Sequence, residues 1–179
     1  MAATHAEFLR AVNLGATRKA PSAKLVEIFE GLGFTDVATF RTSGNVVFGA
    51  SGSSSKLTKE IERGLEDGLG FEVPVFLRTS KQLTTIAKQR PFPPPAVKKS
   101  KGKLQVALLR KKPAAAAVRE IEALASAEDR LSVKGAELYW LPAAGTQQSP
   151  LDMKAIDRAL GLNTLRTQGT VEQLAAKFF

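Results

Sequence analysis

Apolar residues fall along this chain either in short runs or at three- and four-residue steps, and each change of pattern marks where one element gives way to the next. Phe8 to Asn13 is apolar at close spacing and reads as a strand. Leu25, Ile28, Phe29 and Leu32 follow at three- and four-residue steps, the stripe of one helix face. Pro21 suits the first turn of that helix and Gly33 its exit. Two β-prone runs, Val37 to Arg41 and Val46-Val47-Phe48, flank Thr42-Ser43-Gly44-Asn45 and read as a hairpin. Leu57, Ile61, Leu65 and Leu69 recur every four residues on a second helix, and Val73 to Leu77 reads as a fourth strand. The order β-α-β-β-α-β is the ferredoxin-like arrangement, an antiparallel sheet with both helices on one face.

The same order returns further on. Ser80 to Gln89 reads as a short helix, ended by Pro91, Pro93, Pro94 and Pro95 because proline cannot donate to the helix ladder. Leu104 to Leu109 is a strand. A helix opened by Pro113 carries Val118, Ile121 and Leu124. Leu131 to Val133 and Glu137 to Leu141 form a hairpin around Gly135, and Met153, Ile156 and Leu160 mark another helix before Gly161. Leu162 to Thr167 reads as a last strand, and Val171, Leu174 and Phe178 as a final helix. The expected fold is therefore α+β: two tandem ferredoxin-like (α/β-plait) halves with antiparallel sheets. Residues 1–90 form the first, 91–102 a Pro/Lys-rich mobile linker, and 103–179 the second with its C-terminal helix. A tandem duplication is the economical reading of the two halves. The strands are apolar on both sides, so their helix-free faces are expected to be covered, by each other or by a second copy in a homo-oligomer.

Composition narrows the chemistry. The 179 residues contain no cysteine and one histidine, His5, beside a terminus expected to fray. Disulfides and thiol catalysis lack their residues, and a single histidine in that position disfavours a Ser-His-Asp triad and a zinc site of histidine and cysteine. No phosphate-binding Gly-x-x-x-x-Gly-Lys-Ser/Thr and no Gly-x-Gly-x-x-Gly occurs, so no metal and no cofactor is expected. No apolar run approaches the roughly 20 residues of a membrane helix, and no export signature stands at the start, so the expected location is cytoplasmic, off the membrane.

Net charge is +9. Seven basic residues lie between Lys98 and Lys112 with no acid among them; setting these seven aside leaves +2. Lys98, Lys99, Lys101 and Lys103 are thus candidates for nucleic acid phosphates, against the plainer reading of a solvated lysine loop. A base-stacking surface on Phe8 and Phe48 is disfavoured, because Ser43 to Gly49 does not match the RNA-recognition signature.

Three further candidates concern a small ligand. Asn13 to Ser22 is a glycine-containing loop with Arg18 and Lys19 that leads into a helix N-terminus, where free N–H groups suit phosphate or carboxylate. Ser43 and Asn45 lie in a hairpin turn whose plain explanation is turn chemistry. In the expected topology the first and third strands are neighbours, so Asn13, Ser43 and Asn45 should meet at one sheet edge, with Arg10, Arg18 and Lys19 close by. Arg166 near the C-terminus is the third.

Leu9 to Gly15, Leu32 to Val37 and Thr42 to Phe48, with the later Glu137 to Pro142 and Arg166 to Leu174, resemble the bacterial family called domain of unknown function 1697. The resemblance implies a duplicated α/β-plait and no defined activity. The family pattern has glycine where Ala11 and Ala16 stand. Its C-terminal Arg-Asn-Trp-Asn-Thr-Val corresponds to Arg166-Thr167-Gln168-Gly169-Thr170-Val171. Taken together, these features favour a binding protein for a small anionic ligand or nucleic acid phosphates. The alternatives are an enzyme of unrecognised type with a polar site around Asn13, Ser43 and Asn45, and an interaction module without a ligand.

Overall fold

A computed structural model describes residues 2–13 and 16–179. The chain divides into two compact units, unit 1 being Met1–Ile86 with Gln173–Phe179, and unit 2 Ala87–Glu172.

Unit 1 runs β1 (His5–Leu9), α1 (Ser22–Gly31), β2 (Thr35–Thr39), β3 (Asn45–Gly49), α2 (Ser54–Leu69), β4 (Val75–Thr79) and, across its boundary, α3 (Ser80–Lys88). The strands form one antiparallel sheet in the order β2-β3-β1-β4. Helix α2 starts on Ser53, whose hydroxyl accepts the Lys56 N–H (3.3 Å), and stops on Gly70 in the left-handed region. Its four-residue stripe is the one the spacing predicted: Leu57, Ile61 and Leu65 are buried. They pack with Leu25 and Phe29 of α1 against Leu9, Val46, Phe48 and Val75 of the sheet, so both helices cover one face.

Unit 2 contains α4 (Pro94–Lys99), β5 (Gln105–Leu109), α5 (Ala115–Glu122), β6 (Asp129–Lys134), β7 (Glu137–Pro142), α6 (Met153–Leu160), β8 (Asn163–Thr167) and the start of α7 (Gln168–Phe178). Its sheet order, β6-β7-β5-β8, repeats that of unit 1 element for element. Ile121 of α5 and Ile156 of α6 pack on Leu109, Leu138 and Trp140. Two four-stranded antiparallel sheets, each with helices on one face, make this the α+β, ferredoxin-like fold that the periodicity implied.

The opposite faces are apolar and buried too: Ala6, Phe8, Val47 and Phe76 in unit 1, Val106, Leu108 and Tyr139 in unit 2. Phe8 and Phe48 are both fully buried, on opposite sides of their sheet, which agrees with core packing rather than base stacking.

Several local expectations need correction. The first strand spans His5–Leu9 rather than Phe8 to Asn13. The Arg10 N–H still reaches Pro74 O in register (2.9 Å), but Pro74 has no N–H to return and Ala11 adopts φ 57°, so the strand stops there. Val12 therefore reaches the helix-side core from a loop and does not share a face with Phe8. His5 is not frayed: it pairs with Phe48 and Thr79, stacks on the Phe48 ring at 5.6 Å, and is 8% exposed. The segment read as a linker carries α4, buries Phe92, and is tied down by Lys101 N–H to Ala143 O (2.8 Å) and by the Ser100 hydroxyl to Pro142 O.

Candidate functional site

Because β1 and β3 are antiparallel neighbours, with Phe8 opposite Asn45, the loop leaving β1 lies beside the turn entering β3. Asn13 ties the two together. Its side-chain amide donates to Thr42 O (2.7 Å) and Ala20 O (3.3 Å), and its carbonyl oxygen accepts the Ala20 N–H (2.9 Å). Arg18 donates from Nε to Ala11 O (2.8 Å) and from Nη2 to Glu72 O (2.5 Å), with its guanidinium 4.6 Å from the Phe71 ring centre. Asn45 is fully buried and donates to Phe40 O (2.7 Å) and Ser43 Oγ (2.9 Å). The topology thus brings Asn13, Arg18, Ser43 and Asn45 into one junction, where these bonds satisfy carbonyls of loop and turn. Lys19 is exposed and Arg10 half-buried at its margin. Leu14 and Gly15 of this loop lie outside the described residues.

The junction is tightly fitted. Ala11, Asn13 and Arg41 hold φ of 57°, 56° and 61°, unusual for residues with a Cβ. At Gly44, φ is 70°, and a Cβ there would lie 2.6 Å from Val12 Cγ2 and 2.9 Å from Leu9 Cβ. Only glycine fits that turn without a shift of its neighbours.

Arg166 belongs to unit 2, on β8, and is 8% exposed. It donates to Leu165 O and Thr164 Oγ1, both at 2.9 Å, and burial draws its pKa down to about 10, so it stays charged at neutral pH. Arg78 on β4 occupies the matching place in unit 1. It is 5% exposed and donates to Leu77 O (2.8 Å). The tripeptide Leu-Arg-Thr at 77–79 recurs at 165–167, and each threonine hydroxyl accepts the N–H three residues on, from Gln82 and Thr170 (3.2 Å in both). That repeated tripeptide is the signal that would have flagged Arg78. Buried Glu7 and Asp129 carried no such signal.

The basic run falls into two groups, because β5 separates them. Lys98, Lys99, Lys101 and Lys103 precede the strand, and Arg110, Lys111 and Lys112 follow it. All seven are exposed. Among the described residues, the ammonium groups of the first four make no hydrogen bond or ion pair. Lys99, Ser100 and Arg130 line a cavity of about 190 Å³ floored by Ala96 and Leu141. Among the described residues no cluster of three or more His, Cys, Asp or Glu could hold a metal ion, and no helix is long and apolar enough to cross a membrane.

The family model for a protein of unknown function, DUF1697, matches residues 2–139. This chain belongs to the DUF1697 family. The match covers residues 2–86 of unit 1 and runs on into β7, so the junction at Asn13 and the basic run lie within it, and Arg166 and the 173–179 segment of unit 1 lie beyond it. The DUF1697 chain shares its fold along its whole length with "conserved bacterial protein SP0830 from Streptococcus pneumoniae", at a TM-score of 0.74 and 14% identity, each chain covered completely. No curated protein matches it.

Proposed function

We propose that the protein binds nucleic acid phosphates through the lysine-rich surface of unit 2. The observation that carries this reading is the set of four exposed, unengaged lysines before β5, beside a groove that adds Arg130. Cations of this kind attract a polyanion by counterion release, independently of base sequence. Charge distribution supports the same surface. Unit 2 holds fifteen basic and eight acidic residues, a net +7, and unit 1 eleven and nine, a net +2. The Asn13 junction is the weaker candidate for an anion, because Asn13 and Arg18 direct their donors to main-chain carbonyls.

Fluorescence anisotropy with a labelled duplex of arbitrary sequence tests the reading. The expected dissociation constant is about 10⁻⁴–10⁻⁶ M at physiological salt, with a steep fall in affinity as salt rises. Replacing Lys98, Lys99, Lys101 and Lys103 together by alanine should reduce the slope of log K against log salt by about 3 to 4. A slope unchanged in that variant, or a wild-type affinity insensitive to salt, overturns the proposal.

A further inference from the structure

Unit 1 carries a second feature, independent of the basic surface. A cavity of about 440 Å³ opens between the exit of α1, the start of β2 and the first turns of α2, within the size range of small-molecule sites. Its floor is apolar, from Leu32, Phe34 and Leu57. Its rim holds Lys56 and Glu60, one turn apart on α2, where side chains share a face. Their spacing would allow an ion pair. Yet among the described residues neither side chain makes an ion pair or a hydrogen bond.

A helix face that presents one free cation and one free anion beside an apolar hollow has a definite complement. A ligand with only a negative group would be attracted by Lys56 and repelled by Glu60; one with only a positive group would meet the reverse. A zwitterion whose two charges are joined to an apolar body satisfies both and fills the floor. We infer that this cavity is a site for a free α-amino acid with an apolar side chain. The carboxylate faces Lys56, the ammonium faces Glu60, and the side chain lies on Phe34, Leu32 and Leu57. Ser51, also on the wall, offers a hydroxyl to the polar end, while the Thr35 hydroxyl beside it donates to Asp36 Oδ2 (2.9 Å).

The test is amide chemical-shift titration of the full chain with L-phenylalanine, 3-phenylpropionate and 2-phenylethylamine. These probes present both charges, the anion alone and the cation alone. The expected result is saturable binding of L-phenylalanine in the millimolar range, with shifts centred on Gly33, Thr35 and Ser51. Each one-charge probe should bind about tenfold more weakly. Lys56→Ala and Glu60→Ala should each weaken L-phenylalanine by about tenfold, with melting temperature little changed because neither side chain makes a hydrogen bond or ion pair among the described residues. Absence of saturation at about 20 mM, equal affinity for 3-phenylpropionate, or full binding by either variant would overturn the assignment. The variants lie on unit 1 and the lysine replacements on unit 2, so either proposal can fail without the other.

Discussion

Leu9 and Leu109 end the central strands of the two units, each followed by arginine, and each N–H closes on the residue before the other central strand, β3 or β7. The acceptors are Gly44 O (2.8 Å) in unit 1 and Ala136 O (2.9 Å) in unit 2. One bond is made by a glycine at φ 70° wedged against Leu9 and Val12, the other by an alanine outside the left-handed region. The same contrast runs through the β1–α1 loop. Ala11 holds φ 57°, whereas Lys111, two residues beyond Leu109, has an ordinary backbone. Strand order therefore does not dictate how a loop is closed. Unit 1 closes by close fit and asparagine bonding, whereas in unit 2 the residues after Leu109 are the exposed Arg110, Lys111 and Lys112 on an ordinary backbone.

The largest effect should come from the glycine of that comparison. Gly44→Ala adds a left-handed penalty and a clash, and should cost about 3 kcal/mol in urea unfolding. Ala136→Gly should cost about 0.5–1 kcal/mol, as for an ordinary added glycine. Equal losses would mean that the two turns are equivalent after all. Asp129 comes next. It is 1% exposed and accepts from Trp140 Nε1 (2.5 Å) and Ser149 Oγ (2.8 Å) in a buried knot of unit 2. Asp129→Ala should cost about 2 kcal/mol by circular dichroism, since it strands a buried indole N–H; a loss near zero would show that the knot is not needed.

A smaller effect, of opposite sign, is expected at Ala11. Ala11→Gly relieves the left-handed strain and should raise stability by about 0.5 kcal/mol, while Lys111→Gly should lower it. Stabilisation at both places would refute the strain argument. Smallest is a pH effect at His5, whose register counterpart at the start of β5 is Gln105. Burial lowers the His5 pKa from 6.5, so the unfolded chain takes up the proton more readily. Stability from the neutral ring is complete above about pH 6.5 and declines as pH falls toward the lowered folded value. His5→Gln should flatten the melting temperature between about pH 7.5 and 5; a dependence as steep as that of wild type would assign it to other groups.

Most of the architecture is legible in the sequence because short β-prone apolar runs mark the strands and three-to-four-residue spacing marks the helices. Leu57, Ile61 and Leu65 are buried as their spacing demanded. The end of β1 is not legible. Val12 continues the apolar pattern, and an alanine in a glycine conformation leaves no mark in the letters. The meeting of Asn13 with the β2–β3 turn follows from strand order alone, yet the direction of its amide toward Thr42 O and Ala20 O depends on loop path. The basic run looks single because sequence has no length scale. The five residues of β5, about 17 Å of strand, lie between its two groups. Lys56 and Glu60 pass for an ordinary solvated pair until the hollow beside them is seen.

The placement of Tyr139 and Trp140 has an optical consequence. They are the only tyrosine and the only tryptophan in the chain, they are adjacent on β7, and both are buried in unit 2. Unit 1 has neither chromophore, but it holds the only imidazole, at the first position of β1. Indole emission is therefore a private gauge of one unit, and the ring protons of His5 are a private gauge of the other. Two signals with distinct owners turn a single denaturation series into two records. Superimposable midpoints would describe one cooperative body, and displaced midpoints would describe two.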